Sequence, residues 1–266
     1  NAHAYALTMW SAALRGAIPV RIRIDMFSFS AAYPDEEGME SVIGCSYSPP
    51  FWLLDNGMAF PEALFQQLVN QDMSGTSAYD IRLEMNTDMA FYYGIDGNCP
   101  DSMVDYVTIV LHEVCHGLGF MDSIAPNGAL SLSDGTYSYP LPYDYYLVYN
   151  GKQIYNQGAS VRKTAITSDN LYFGGDTAYE GNGGSMPKLF APAYYMSGSS
   201  VSHWDWSVTF PTFMRYAYDY PLHQIGPQKI GAMEDLGWDI SGGVIGLPAV
   251  PQAIFATQGT QVDKVS

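Results

Sequence analysis

Two histidines and a glutamate stand close together in the segment LHEVCHGLGFMD, residues 111–122. On an α-helix, residues four apart share a face, so His112 and His116 can offer ring nitrogens to one metal ion. Glu113 is turned about 100° from His112, so it can lie beside the metal without binding it and accept a proton from water there. Imidazole suits zinc, whose charge lowers the pKa of a bound water to about 7. The segment therefore predicts a zinc site of the HExxH type.

The residues after Ser102 have the spacing of a buried helix, which is the context that the HExxH motif requires. The apolar positions are Val104, Val107, Ile109, Val110, Leu111, Val114 and Leu118. Ser102 can cap the start of this helix, and Asp105 suits its first turn. Two bystander histidines at a solvated helix end are the alternative, and the apolar pattern disfavours it.

The third metal ligand is open at this point, because the segment runs on as HExxHxxGxxD. Gly119 allows the helix to end and the chain to turn back toward the metal. Asp122 then stands where the metzincin pattern has its third histidine. Either Asp122 is the third ligand or a distant histidine is; the remaining histidines are His3, His203 and His223.

The surroundings of His203 carry a family resemblance. His203 lies in GSSVSHW, Met214 follows in FPTFMRY, and the apolar segment QKIGAMEDLGW comes after both. The order of HEVCHGLGF, a long insertion, GSSVSHW, a methionine and a segment ending in DLGW resembles leishmanolysin, a family of the metzincin clan. The resemblance covers about 101–238 and the preceding DIRLEMN, which is similar to the edge strand that binds extended substrate in metzincins.

The resemblance implies a secreted zinc endopeptidase that cleaves protein or peptide substrates. Its implied zinc ligands are His112, His116 and His203. Glu113 would be the general base, Met214 would form the methionine turn beneath the zinc, and Asp122 would be structural. Two alternatives are a snapalysin-like metzincin with Asp122 as third ligand and a non-proteolytic zinc-containing binding or adhesion module. Retention of Glu113 argues against the second, since a structural zinc site needs no base.

The sequence departs from the leishmanolysin pattern in two places. The long insertion lacks the dense cysteine framework of the protozoan enzymes, which favours a bacterial-type relative. Tyr216 stands two residues after Met214, where leishmanolysins have a proline. Astacins and serralysins carry a tyrosine at that place, where it can bind zinc at rest and swing to stabilise the transition state. Tyr216 is therefore a second catalytic candidate.

The expected fold is α+β, a metzincin-like catalytic domain over residues 1–240. Alternating apolar residues in PVRIRIDMFSF and DIRLEMN predict strands, and FPEALFQQLVNQ and QKIGAMEDLGW predict helices. A twisted mixed sheet and the active-site helix would form an N-terminal lobe, about 1–120. An irregular C-terminal lobe, about 121–240, would hold the methionine turn and the final helix, and 241–266 would be a tail or linker.

Composition excludes some partners. Lysine and arginine total 11 against 27 acidic residues, and the net charge of −16 repels nucleic acid. No apolar run reaches the roughly 18 residues needed to span a bilayer. Low lysine with many tyrosines and glycines is typical of a secreted protein, and any export signal would already be removed.

Two further site types come from cysteines and acidic loops. Cys115 is expected to pack in the helix, which leaves Cys45 and Cys99 as the favoured disulfide; three buried reduced thiols are the alternative. Structural calcium is a second possible cofactor, on the acidic segment 35–37 or on Asp96 with Asp101. Neither has the alternation of an EF-hand loop, so solvated loop charge is the favoured interpretation.

Overall fold

The computed structural model describes residues 2–48, 51–54, 57–73, 79–240 and the backbone of 260–264. Its helices are α1 (Ala2–Ala13), α2 (Phe29–Ala32), α3 (Glu62–Val69), α4 (Tyr106–Gly117), α5 (Pro142–Tyr145), α6 (Ala159–Ala165), α7 (Asp176–Gly181) and α8 (Pro227–Leu236). Its strands are β1 (Ile22–Phe27), β2 (Gly44–Tyr47), β3 (Phe51–Leu54), β4 (Met58–Pro61), β5 (Ile81–Asn86), β6 (Phe91–Tyr92), β7 (Val104–Asp105), β8 (Leu132–Ser133), β9 (Ser138–Tyr139), β10 (Leu147–Tyr149), β11 (Lys152–Gln153), β12 (Leu171–Phe173) and β13 (Thr260–Lys264).

The fold is α+β, and its sheets are small. One sheet has the order β1-β5-β2, a second β11-β10-β12, a third β4-β3-β13-β8-β9, and β6 pairs with β7. The predicted tail, 241–266, lies outside the described residues except for 260–264. That stretch forms β13, which pairs with β3 and β8.

The sheet beside α4 is mixed, as expected, but DIRLEMN is not its edge. β5 pairs in parallel with β1 and antiparallel with β2, so it lies in the centre. Both faces of β5 are covered, since Glu84 and Asn86 are as buried as Leu83 and Met85. Alternation alone could not reveal this, because it reports only one buried face. The edge strands are β1 and β2, and β2 is the one that lies against α4.

Helix α4 packs in one continuous apolar cluster with α1, β5 and α8, and its two histidines are half-buried. Trp10 of α1, a helix that the sequence patterns did not indicate, donates a hydrogen bond from its indole to the Leu111 carbonyl at 3.1 Å. At the other end, the Trp238 indole donates to the Leu118 carbonyl at 2.8 Å. Since Trp238 directly follows α8 and its cap Gly237, the helix predicted in QKIGAMEDLGW ends against α4.

The start of α4 differs from the expectation. Asp105, not Ser102, is the N-cap, and its carboxylate accepts from the Thr108 amide at 2.8 Å. The helix cannot begin earlier because Val104 is committed to the sheet, where its amide donates to Ala90 at 2.9 Å. Two contacts from the C-terminal half reach this cap: His223 Nε2 lies 2.9 Å from the Asp105 carboxylate, and the Leu222 amide donates to the Thr108 hydroxyl.

Two other expectations are wrong. The favoured disulfide does not form: Cys45, Cys99 and Cys115 are all free. Cys45 lies on β2 opposite Glu84, whereas the Cys99 sulfur contacts the Met103 carbonyl at 3.4 Å in the turn before α4. The region after Gly119 is also more regular than its turn-rich sequence suggested, because it contains α5, α6, α7 and the β11-β10-β12 sheet. Cys115 is buried within α4, as expected.

Among the described residues, no helix combines the length and the apolar character needed to span a bilayer.

Candidate metal centre

Three histidines meet at one point. The Nε2 atoms of His112 and His116 are 3.1 Å apart, and His203 Nε2 lies 3.1 Å from the first and 3.2 Å from the second. Within the part of the chain that the structure describes, these three form the group of metal-ligating side chains close enough to share an ion. His203 is far from α4 in the sequence, and tertiary folding brings it next to His112 and His116.

The other nitrogen of each ring is held by a backbone carbonyl. His112 Nδ1 donates to Phe213 at 2.6 Å, and His116 Nδ1 donates to Phe120 at 2.7 Å. His203 Nδ1 donates to Ser199 at 2.8 Å. A carbonyl can only accept, so each Nδ1 carries the proton and each Nε2 presents a lone pair to the common point.

The donor set fits zinc. Two imidazole nitrogens bound to one tetrahedral zinc at 2.0–2.1 Å would be separated by about 3.3 Å, close to the 3.1–3.2 Å found here. Burial lowers the pKa of His112 to about 4 and that of His116 to about 3, and it holds the pKa of His203 well below its usual range. All three rings are therefore neutral at pH 7, as metal ligands must be.

Glu113 lies next to the three histidines without joining them. Its Oε1 is 4.0 Å from His112 Nε2, and burial raises the pKa of its carboxyl group to about 8. The backbone of β2 passes closely: a Cβ at Gly44 would come within 3.3 Å of Glu113 Cγ and Oε1. The absence of a side chain at Gly44 thus leaves room for the carboxylate between α4 and the edge strand.

Met214 belongs to residues 211–214, here called the methionine segment, which support His112. Its side chain is fully buried, and its carbonyl accepts from the Trp204 amide, next to His203, at 2.8 Å. The neighbouring Phe213 carbonyl is the acceptor for His112 Nδ1. The methionine segment therefore connects the first and third histidines.

Tyr216 lies beyond Met214 with its ring stacked on Phe190, at a centroid distance of 4.0 Å and an interplanar angle of 16°. Trp206 meets the same ring edge-on at 6.2 Å. The side chain is 36% exposed, and its hydroxyl has no hydrogen bond within the described part of the chain. Among the described residues, neither a hydrogen bond nor a ring contact joins Tyr216 to the three histidines.

Asp122 has a different set of contacts from the three histidines. Its carboxylate accepts from the Ser202 hydroxyl at 2.5 Å and from the Ile124 amide at 2.8 Å. His3 is exposed on α1, and His223 contacts Asp105 at the opposite end of α4. The distant histidine that joins the pair on α4 is His203.

The acidic loops do not form a comparable group among the described residues. Asp35, Glu36 and Glu37 are exposed, as solvated loop charge would be. Asp96 accepts from the Tyr92 hydroxyl at 2.8 Å and from the Asn98 amide at 3.1 Å, which is a local turn arrangement.

Sequence reasoning missed the supporting parts of the site. The three carbonyl acceptors belong to backbone whose position no motif specifies. Gly44 offered a faint signal, because a glycine inside a strand often marks a close backbone approach.

The fold and the centre together define a class: an α+β protein in which a buried helix and a distant turn bring three histidines to one point. A family profile described as SPBPB7E8-like matches residues 3–163, more than half of the 266-residue chain. The chain belongs to the SPBPB7E8-like family. The matched range includes the HExxH helix and ends before His203.

One curated relative shares part of the sequence. Uncharacterized protein PB7E8.01 of Schizosaccharomyces pombe is 32% identical over 98 residues, which are 36% of this chain and 17% of that protein. The match thus spans less than a fifth of the length of the relative. No solved structure matches the chain.

Proposed function

We propose that this chain is a secreted, leishmanolysin-like zinc endopeptidase of the metzincin clan, which hydrolyses peptide bonds of protein substrates. The observation that carries the proposal is the histidine triangle, with Nε2 atoms 3.1–3.2 Å apart and every Nδ1 bonded to a carbonyl. Glu113 beside this triangle favours catalysis over a purely structural zinc, since a structural site has no use for a base.

In this proposal His112, His116 and His203 hold the zinc, and the three carbonyls fix the orientation of their rings. When bound, zinc would polarise the substrate carbonyl and lower the pKa of water. Glu113 accepts the proton of the attacking water and passes it to the leaving amine. Its burial raises the pKa of the carboxyl group to about 8, which makes the carboxylate a stronger proton acceptor than an exposed one.

The edge strand β2 is the proposed partner of an extended substrate. It takes the place that the resemblance gave to DIRLEMN, because β5 is central and β2 lies at the end of the order β1-β5-β2. Gly44 on β2 lies close to the Glu113 carboxylate, since a Cβ there would be 3.3 Å from Oε1. A substrate strand paired along β2 would therefore pass the general base.

Tyr216 has the second catalytic role in this proposal, as a hydrogen-bond donor to the oxyanion of the transition state. Because its ring stacks on Phe190, the role requires the side chain to swing out of that stack. Its exposure and lack of a hydrogen-bonded hydroxyl leave it free to do so.

The proposal assigns residues 1–240 to the catalytic domain, with the metal between a lobe of about 1–120 and a lobe of about 121–240. Secretion is supported by composition alone: 11 basic residues, 21 tyrosines and 26 glycines in 266 residues.

The test compares zinc content and casein cleavage of the wild type with those of three variants. Glu113→Gln should keep one zinc and lose cleavage. His203→Ala should lose both, even with excess zinc. His223→Ala is the matched control, since it removes another largely buried histidine, and it should keep both.

Two outcomes would overturn parts of the proposal. If Asp122→Ala abolished zinc binding at saturating metal while His203→Ala kept it, the third ligand would be Asp122, as in the snapalysin-like alternative. If the wild type bound zinc but cleaved neither casein nor a peptide library, the non-proteolytic binding or adhesion module would replace the protease.

A further inference from the structure

The third histidine is delivered by a strained turn. Val201 has a φ of +74°, and the Ser202 amide donates to the Ser200 carbonyl at 3.0 Å, which together describe a γ-turn whose central residue has a positive φ. A positive φ is a genuine outlier for a β-branched residue, and it persists only where the surroundings hold it. The turn lies two residues before His203, so its shape determines where the imidazole points.

Neighbouring segments hold Val201 on both sides. The Tyr143 hydroxyl donates to the Val201 carbonyl at 2.9 Å, and the Val201 amide donates to the Phe190 carbonyl at 2.8 Å. The Phe190 amide in turn donates to the His203 carbonyl at 2.8 Å. These contacts fix the turn to the C-terminal half of the chain, but they do not connect it to α4.

Asp122 makes the connection to α4. The Ser202 hydroxyl donates to Asp122 Oδ2 at 2.5 Å, and it accepts from the Asp122 amide at 2.9 Å. The Ile124 amide donates to Asp122 Oδ1 at 2.8 Å, which orients the carboxylate. Hydrogen bonds from a hydroxyl to a carboxylate are among the shorter and stronger ones in proteins. The Ser202 hydroxyl thus makes two hydrogen bonds to Asp122. This residue lies five positions after Gly117, the last residue of α4.

We propose that Asp122 is a positioning residue of the metal centre, which acts through Ser202 to hold His203 against the two histidines of α4. The inference rests on the metal-binding part of the proposed function and not on proteolysis. Without this clamp, the strained turn at Val201 can relax toward ordinary backbone angles, and the His203 ring moves away from the common point. The acidic residue at the third-histidine place of the metzincin pattern would then serve the metal indirectly.

The test uses Ser202→Ala with Ser123→Ala as its matched control. The Ser123 hydroxyl donates to the Asp144 carboxylate at 2.5 Å, so it makes an equally short bond in the same region and is more deeply buried. Unlike Ser202, Ser123 is not directly followed by a histidine in the sequence. Both variants should lower thermal stability, and only Ser202→Ala should disturb the metal.

Two measurements separate positioning from general support. The first is the zinc dissociation constant, from competition with a chromophoric chelator; the second is the visible absorption spectrum of the cobalt-substituted protein. Ser202→Ala should weaken zinc binding by roughly 10- to 100-fold, as the loss of an outer partner of a metal ligand does, and should shift the cobalt bands. Ser202→Thr, which keeps the hydroxyl, should give the wild-type zinc affinity and the wild-type cobalt spectrum. If Ser202→Ala does not fold, Asp122→Asn, which keeps the shape but removes the charge, should change both measurements in the same direction.

The proposal is overturned if Ser202→Ala and Asp122→Asn bind zinc with the wild-type affinity and give the wild-type cobalt spectrum. It is also overturned if Ser123→Ala weakens the metal as much as Ser202→Ala, or if the wild type binds no metal. A wild type that binds zinc and cleaves no protein would remove the proposed protease function only. The affinities and spectra would still decide the role of Asp122 in that case.

Discussion

Lys229 of α8 is fully buried beneath the methionine segment. Its Nζ donates to the Pro211 carbonyl at 3.2 Å and lies 4.5 Å from the centre of the Phe213 ring. Burial lowers the pKa of this amine from its ordinary 10.5 to about 7, and the nearby Arg215 acts in the same direction. The Cys115 side chain acts in the opposite direction and does not cancel the effect of burial.

This shift makes the stability of the protein depend on pH with a definite sign. Between pH 7 and 10.5 the unfolded chain binds more protons at Lys229 than the folded chain, so the free energy of unfolding should rise with pH. One pKa unit corresponds to about 1.4 kcal/mol, which limits the gain between pH 7 and pH 9 to about 2.7 kcal/mol. Because the folded amine is half protonated near pH 7, the expected gain is about 2 kcal/mol.

Lys229→Met isolates this contribution. The free energy of unfolding is measured by urea denaturation at pH 7 and pH 9 for the wild type and for the variant, and the difference between the two proteins is compared at the two pH values. Other titrating groups, Glu113 among them, cancel in that comparison. The wild type should gain about 2 kcal/mol relative to Lys229→Met as the pH rises.

Gln228→Met is the control for lost packing. Gln228 is equally buried on α8 and donates to the same Pro211 carbonyl at 3.4 Å, but it does not titrate. Its replacement should change stability by the same amount at both pH values. A difference between wild type and Lys229→Met that stays constant from pH 7 to pH 9, or that changes in the opposite direction, would refute the reasoning.

Three further outcomes are expected. Gly44→Ala should lower kcat while zinc stays bound, because the new Cβ would lie 3.3 Å from Glu113 Oε1; an unchanged kcat in a peptide assay would contradict this. Asp105→Ala should lower the free energy of unfolding by about 1–2 kcal/mol through loss of the α4 cap, as measured by urea denaturation. Zinc should stay bound to the folded protein down to about pH 5, because the pKa values of His112 and His116 are lowered to about 4 and 3, and the rings take up protons only as the pH falls through those values. Zinc release centred near pH 6.5, with the circular dichroism unchanged, would argue against that.

Part of the candidate site could be predicted because its geometry is local. Residues four apart share a helix face in any context, so the pairing of His112 with His116 followed from spacing and an apolar helix pattern. The strand character of β1 and β5 and the stop of α8 at Gly237 followed for the same reason. The N-cap was not predicted: Ser102 was the expected cap, but the pairing of β7 with β6 delays the start of α4, so Asp105 caps it instead.

Long-range features could not be predicted from spacing. The sequence offered three distant histidines and one aspartate as the third partner, and a family resemblance favoured His203. Folding decided which of them reached α4. The same holds for the wrong expectations: the position of β5 within its sheet and the separation of Cys45 from Cys99 depend on which strands pair, and a one-dimensional pattern does not contain that information.

By itself, then, the sequence determined a histidine pair on a buried helix with a carboxylate beside it, because helical periodicity is a property of neighbouring residues. Only the tertiary structure decided that His203 completes the histidine group, that three carbonyls orient the rings and that Asp122 forms hydrogen bonds with Ser202. Those contacts join segments that are far apart in the chain, and their hydrogen bonds form only when packing of the common core brings the segments together.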